Sequence, residues 1–167
     1  MNKLALIFLA LAPFISNGQN CDNFINKSTD KFTDKTYWEM KNKVVINNDY
    51  ENSSIRIEVD ALGDKTLTFS ATIKSPEIGC IDEGIDAYFL FADGTKFQCV
   101  THNSYNCKGR VTIFLSSMIG NKKLRKLLSE KLLSSFRISG KGVFFQTDIS
   151  AADAENLKGS LNCLKEI

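Results

Sequence analysis

Short segments in which apolar and polar residues alternate recur along most of the chain, the pattern of strands with one buried face. Ile55, Ile57 and Val59 alternate with Arg56, Glu58 and Asp60. Beyond the turn-like Leu62-Gly63-Asp64, Leu67, Phe69, Ala71 and Ile73 alternate with Thr66, Thr68, Ser70 and Thr72, so these two segments read as a hairpin. An earlier strand is expected within Thr36 to Ile46, with Trp38 and Val45 as candidates for burial. Ala87–Ala92, Thr95–Val100, Arg110–Ser117, Ser135–Ser139 and Val143–Ile149 complete the set. Gly140-Lys141-Gly142 between the last two is either a hairpin turn or a kink.

The period changes twice. From Asn121 to Leu133, Leu124, Leu127, Leu128 and Leu132 fall at helical spacing and form one apolar stripe. A second helix is expected from Ser150, with Asp153 three residues on in a capping-box position, followed by Ala154, Leu157, Leu161 and Leu164. The order is six strands, helix, two strands, helix. It is not the strand–helix alternation of a doubly wound nucleotide-binding fold. The expected class is α+β: a mostly antiparallel curved sheet or open barrel of about seven to eight strands with two helices.

The first twenty residues, MNKLALIFLALAPFISNGQN, change the picture because they fix the compartment. A basic start, an apolar run from Leu4 to Ile15, and small residues at Ser16 and Gly18 make a signal-peptide layout, with cleavage expected after Gly18. That run is shorter than the roughly 20 apolar residues that span a bilayer. Asn20 before Cys21 argues against lipidation. The expected organisation is a signal peptide over 1–18, a loosely held polar arm over 19–35 and one α+β domain over 36–167. The product is expected to be periplasmic or secreted.

Export sets the chemistry of the five cysteines, which in an oxidising compartment form disulfides. Asp93-Gly94 between Phe89-Leu90-Phe91 and Phe97 is a strong hairpin signal, and Cys80 and Cys107 are equidistant from its centre. They are the expected bridge. Cys163 is within reach of Cys99 or Cys21, and Cys21 is the candidate for the odd thiol, so the expected bridged set is Cys80, Cys107, Cys99 and Cys163.

Other chemistries are weaker on spacing alone. Cys99, His102 and Cys107 supply three ligands where structural zinc takes four. Asp82, Glu83 and Asp86 lack the alternating ligand pattern and terminal glutamate of a calcium loop. No metal and no cofactor is expected. A thiol nucleophile at Cys99 needs a base, and His102, the only histidine, lies between two cysteines.

Charge is nearly balanced, 21 basic against 19 acidic residues, but unevenly spread. Residues 19–100 hold 9 basic and 14 acidic groups, and residues 101–167 hold 11 and 5. Lys122, Lys123, Arg125 and Lys126 beside the leucine stripe form a candidate polyanion-binding or membrane-surface site. An ordinary helix with its lysines in water is the simpler reading. No aromatic residues interleave with these charges, so nucleic acid is not an expected partner.

The run Gly79-Cys80 through Asp93-Gly94 to Asn106-Cys107-Lys108-Gly109, then strand, helix, strand and a last helix bearing Cys163, is similar to uncharacterised small exported bacterial proteins. The resemblance implies no activity. Taken together, the residues describe an exported, disulfide-stabilised domain with a binding or structural role towards a protein or cell-envelope component. Two alternatives accompany it: a hydrolase using Asp82, Glu83, Asp86 or the Cys99 thiol, and surface binding through the basic helix.

Overall fold

The structure is a computed structural model and describes residues 20–48, 52–62, 66–76, 78–115 and 121–165. The signal-peptide segment, the Gly63-Asp64 turn and the end of the strand expected to reach Ser117 lie outside these residues. Among the described residues ten strands form two antiparallel sheets, accompanied by two α-helices, so the α+β class holds. The single curved sheet or barrel expected from the sequence is instead a pair of sheets.

The larger sheet contains β1 (Ile25–Thr29), β2 (Thr36–Met40), β3 (Val44–Asn48), β4 (Ser53–Leu62), β5 (Thr66–Lys74) and β8 (Arg110–Phe114). The smaller has the order β10-β9-β6-β7, from β6 (Asp86–Phe91), β7 (Lys96–Val100), β9 (Leu133–Gly140) and β10 (Val143–Asp148). The inner faces meet at Phe69 of β5, Phe89 of β6 and Phe136 of β9, whose ring centroids lie 5.2–5.3 Å apart. Tilted and edge-on contacts of this kind are favourable beyond the area they bury. All alternating inward residues expected on β4 and β5 are buried, and the hairpin register pairs Ile55 with Ile73 and Val59 with Phe69. Helix α2 (Ala151–Lys165) packs against β1–β4 and against α1 (Lys122–Glu130). Its Ala154, Leu157, Leu161 and Leu164 join the same core, and the Ser150 hydroxyl accepts from Asp153 N at 3.1 Å as a cap.

The expected strand within Thr36–Ile46 is two strands. Both run antiparallel to β4, separated by Lys41-Asn42-Lys43. Trp38, Met40, Val44 and Ile46 share the inward parity, while Val45, opposite Arg56, is 54% exposed. The expected burial of Val45 fails because pairing with β4 gives it the outward parity. Helix α1 ends at Glu130, short of Leu132. Lys131 turns extended and its ammonium reaches Asp93 (2.6 Å) and Thr95 (2.7 Å), while Leu133 pairs with Phe91. Sheet pairing overrides the helical period of the leucines.

Residues 21–29 are not a loose arm. β1 pairs with β2 from Ile25↔Met40 to Thr29↔Thr36, and Phe24 lies against Gly159 of α2, where any side-chain carbon would strike its ring. The Ser160 hydroxyl donates to the Phe24 carbonyl at 3.2 Å. This docking sets Cys21 beside Cys163, with Cα atoms 5.5 Å apart, and the two are bridged.

Candidate functional site

Cys80 and Cys107 are joined. The bridge ties together two crossovers between the sheets: residues 75–85, running from β5 to β6, and residues 101–109, running from β7 back to β8. Ile81 and Asn106 pair beside it through bonds of 2.7 and 3.0 Å. The side chain of Asn106 organises the return loop, accepting from Arg110 N and donating to the carbonyls of Ser104 and Arg110. Gly109 holds φ +68°, and a side-chain carbon there would collide with the Ile73 carbonyl.

Two cysteine expectations are corrected. Cys21, expected to be the odd thiol, is bridged to Cys163, because the Phe24–Gly159 contact delivers it to α2. Cys99, expected in a bridge, is the free cysteine. It stands opposite Ala87 on the core-facing side of β7, partly buried. Burial first, and the Asp86 charge second, push its thiol up to about 12, so the nucleophilic thiolate is scarce at neutral pH. Cys107 is consumed by its bridge, and His102 packs its ring 5.3 Å from that of Phe114. Among the described residues no three His, Cys, Asp or Glu side chains are grouped as a metal would require. Asp82 and Glu83 are exposed on a turn, while Asp86 lies on β6, its carboxylate 3.4 Å from the Tyr88 hydroxyl. They do not converge. On α1, Lys122, Lys123 and Lys126 are exposed and Arg125 is half-buried, with Lys126 4.0 Å from Glu130.

The carboxylates that do converge lie on the outward face of the larger sheet. Arg56, Glu58 and Asp60 alternate with the buried Ile57 and Val59, so all three project outward. Register sets Glu39 of β2 directly opposite Asp60, and Asp60 opposite Thr68 of β5. The break between β2 and β3 carries Lys43 back over this row. Its Nζ lies 2.8 Å from Glu58 Oε2 and 3.2 Å from Glu39 Oε2, aligned as a hydrogen bond only to Glu39. Glu58 is 7% exposed, an uncommon burial for a carboxylate. The close side-chain contact with its carboxylate, more than its charge as such, is the chief reason the Lys43 ammonium is held above the ordinary lysine range.

Asp60 has the opposite problem. Burial, then the neighbouring Glu58 charge, raise its carboxyl to about 6, with Lys43 only partly offsetting them. Its Oδ1 is buried without a hydrogen-bond partner among the described residues. Asp60, Glu58 and Glu39 sit in a groove of about 560 Å³ whose other walls include Tyr37, Thr68 and Phe114. Acceptor oxygens, hydroxyls and ring faces in one concavity make a receptor for a ligand that donates hydrogen bonds. Sequence reasoning passed over these residues because outward acids on an alternating strand read as solvated. A signal did exist: two like charges, Glu58 and Asp60, at neighbouring positions of one strand face.

No protein-family model, curated protein or solved structure matches the chain. What fold and groove define together is a class: a disulfide-clasped α+β sandwich with an open carboxylate groove on one face. No described helix is long and apolar enough to cross a membrane.

Proposed function

We propose that this is an exported binding domain, periplasmic or secreted, whose ligand enters the carboxylate groove and donates hydrogen bonds to Glu58 and Asp60. The observation that carries the reading is the buried, unpaired Oδ1 of Asp60 at the side of an open groove. A buried acceptor without a donor costs about 1–3 kcal/mol, which a ligand hydroxyl or ammonium offsets. Two bridges and the apolar leader support the oxidising compartment.

Calorimetry with a neutral tetrasaccharide and with spermine separates the two donor chemistries. At least one is expected to bind, and Asp60→Asn and Glu58→Gln are each expected to weaken it tenfold or more. If neither probe binds, or if both variants leave affinity unchanged, the reading fails. A hydrolase is the second reading. It is favoured by the Asp60 carboxyl, raised to about 6, in one groove with Glu58 and Glu39, the arrangement of an acid catalyst and its partner. Turnover of nitrophenyl glycosides that disappears in Asp60→Asn would select it over binding alone.

A further inference from the structure

The outward face of the smaller sheet carries a second, independent constellation. Gln98 of β7 stands opposite Tyr88 of β6, Tyr88 opposite Arg137 of β9, and Arg137 opposite Gln146 of β10. These four side chains form one polar row across every strand of the sheet. With neighbouring strands about 4.8 Å apart, the row extends about 14 Å.

Arg137 is its centre. The guanidinium lies 5.8 Å from the Tyr88 ring centroid and 5.7 Å from that of Phe144. Its Nε donates to Gln146 Oε1 at 2.8 Å. Two rings and an amide therefore fix an exposed cation that takes part in none of the ion pairs among the described residues. A planar guanidinium whose terminal amino groups have no hydrogen-bond partner among the described residues is matched in shape by a carboxylate. Lys96, exposed on β7, adds a second positive charge at the rim of the same hollow, which measures about 500 Å³.

The rest of the face narrows the ligand. Its exposed apolar residues are parted by the polar row. Val100 and Phe144 lie on one side, in the line Val100–Asp86–Ser139–Phe144, and Leu90 on the other, beside Lys96. A protein partner is normally met by a contiguous apolar centre with a polar rim, the reverse of this layout. Amide and phenol groups spaced along a line, with the Phe144 ring 66% exposed beside them, suit sugar hydroxyls and the apolar faces of pyranose rings. We propose that this face binds an anionic, carboxylate-bearing polysaccharide laid across the strands, a uronate on Arg137 and its neighbouring sugars on Gln98, Tyr88 and Gln146.

The test uses the full chain with both bridges intact, titrated at low salt with hexamannuronate, neutral cellohexaose and a poly-glutamate peptide. Hexamannuronate is expected to bind at least tenfold more tightly than cellohexaose or poly-glutamate. Arg137→Gln and Arg137→Lys are both expected to weaken it tenfold or more, since lysine keeps the charge but not the fork. Phe144→Ala, at an exposed position that leaves the core intact, is expected to weaken it several-fold. Asp60→Asn and the pair Lys122→Gln with Lys123→Gln are expected to leave it unchanged, which separates this face from the groove and from the basic helix. Poly-glutamate binding as tight as hexamannuronate would reassign the face to an acidic protein segment. No hexamannuronate binding, or binding indifferent to Arg137 and Phe144 in variants that retain the wild-type urea midpoint, would overturn the proposal.

Discussion

At Asp60, burial and the Glu58 charge both oppose ionisation, and the carboxyl titrates near 6 in place of its ordinary value of 3.8. A carboxyl raised in the folded state binds its proton more tightly there than in the unfolded chain. Its contribution to stability is therefore greatest below pH 4 and is lost as pH rises through 6. The shift corresponds to roughly 3 kcal/mol, reduced by partial solvent screening to about 1–2 kcal/mol. Asp60→Asn is expected to stabilise the protein by about that amount at pH 8 and by nothing at pH 4, as urea midpoints at the two values would read. Equal gains at both would mean that Asp60 is not the titrating group. Of the two carboxylate sets, only one was visible before the fold. Asp82, Glu83 and Asp86 are close in sequence and therefore conspicuous, whereas Glu39 meets Asp60 only through pairing across 21 positions. Strand register is a tertiary property, and nothing local to Glu39 announces it.

Among the elements, unbroken alternation translates most directly into burial. β4 and β5 each bury one alternating apolar set, and the residues that the alternation turns inward are buried. The sequence misled where pairing competes with periodicity. Leu132 keeps the helical spacing of α1, but the pairing of β9 with β6 and the Lys131–Asp93 contact end the helix first. The two-sheet arrangement was hidden for a related reason: strands that alternate alike give no sign of which sheet they join. Helix α1 also carries a local conflict. Its first turn holds Lys122 and Lys123 with no acid, and Asn121 makes no capping bond through its side chain. Positive charge at a helix N-terminus opposes the macrodipole. Lys123→Glu is expected to raise stability by about 0.5 kcal/mol in chemical denaturation. A loss of stability would mean that Lys123 holds a contact worth more than the dipole penalty.

For the molecule as a whole, the two bridges act at different ranges. Cys80–Cys107 closes a separation of 27 residues and fastens the paired crossovers between sheets. Cys21–Cys163 closes 142 and unites the turn at Cys21–Asn23 with the last helix. A long loop restricts the unfolded chain more than a short one, so Cys21→Ser is expected to cost about 2–4 kcal/mol. The natural comparison is with Cys99→Ser, which removes no bond, and equal denaturation midpoints for the two would show that the long bridge contributes nothing. Cys21–Cys163 has one further consequence. Tension applied between residues 20 and 165 would run through that covalent link and bypass both sheets. Serving as a connector under mechanical load, the domain would neither lengthen nor unravel until a reductant severed its clasp.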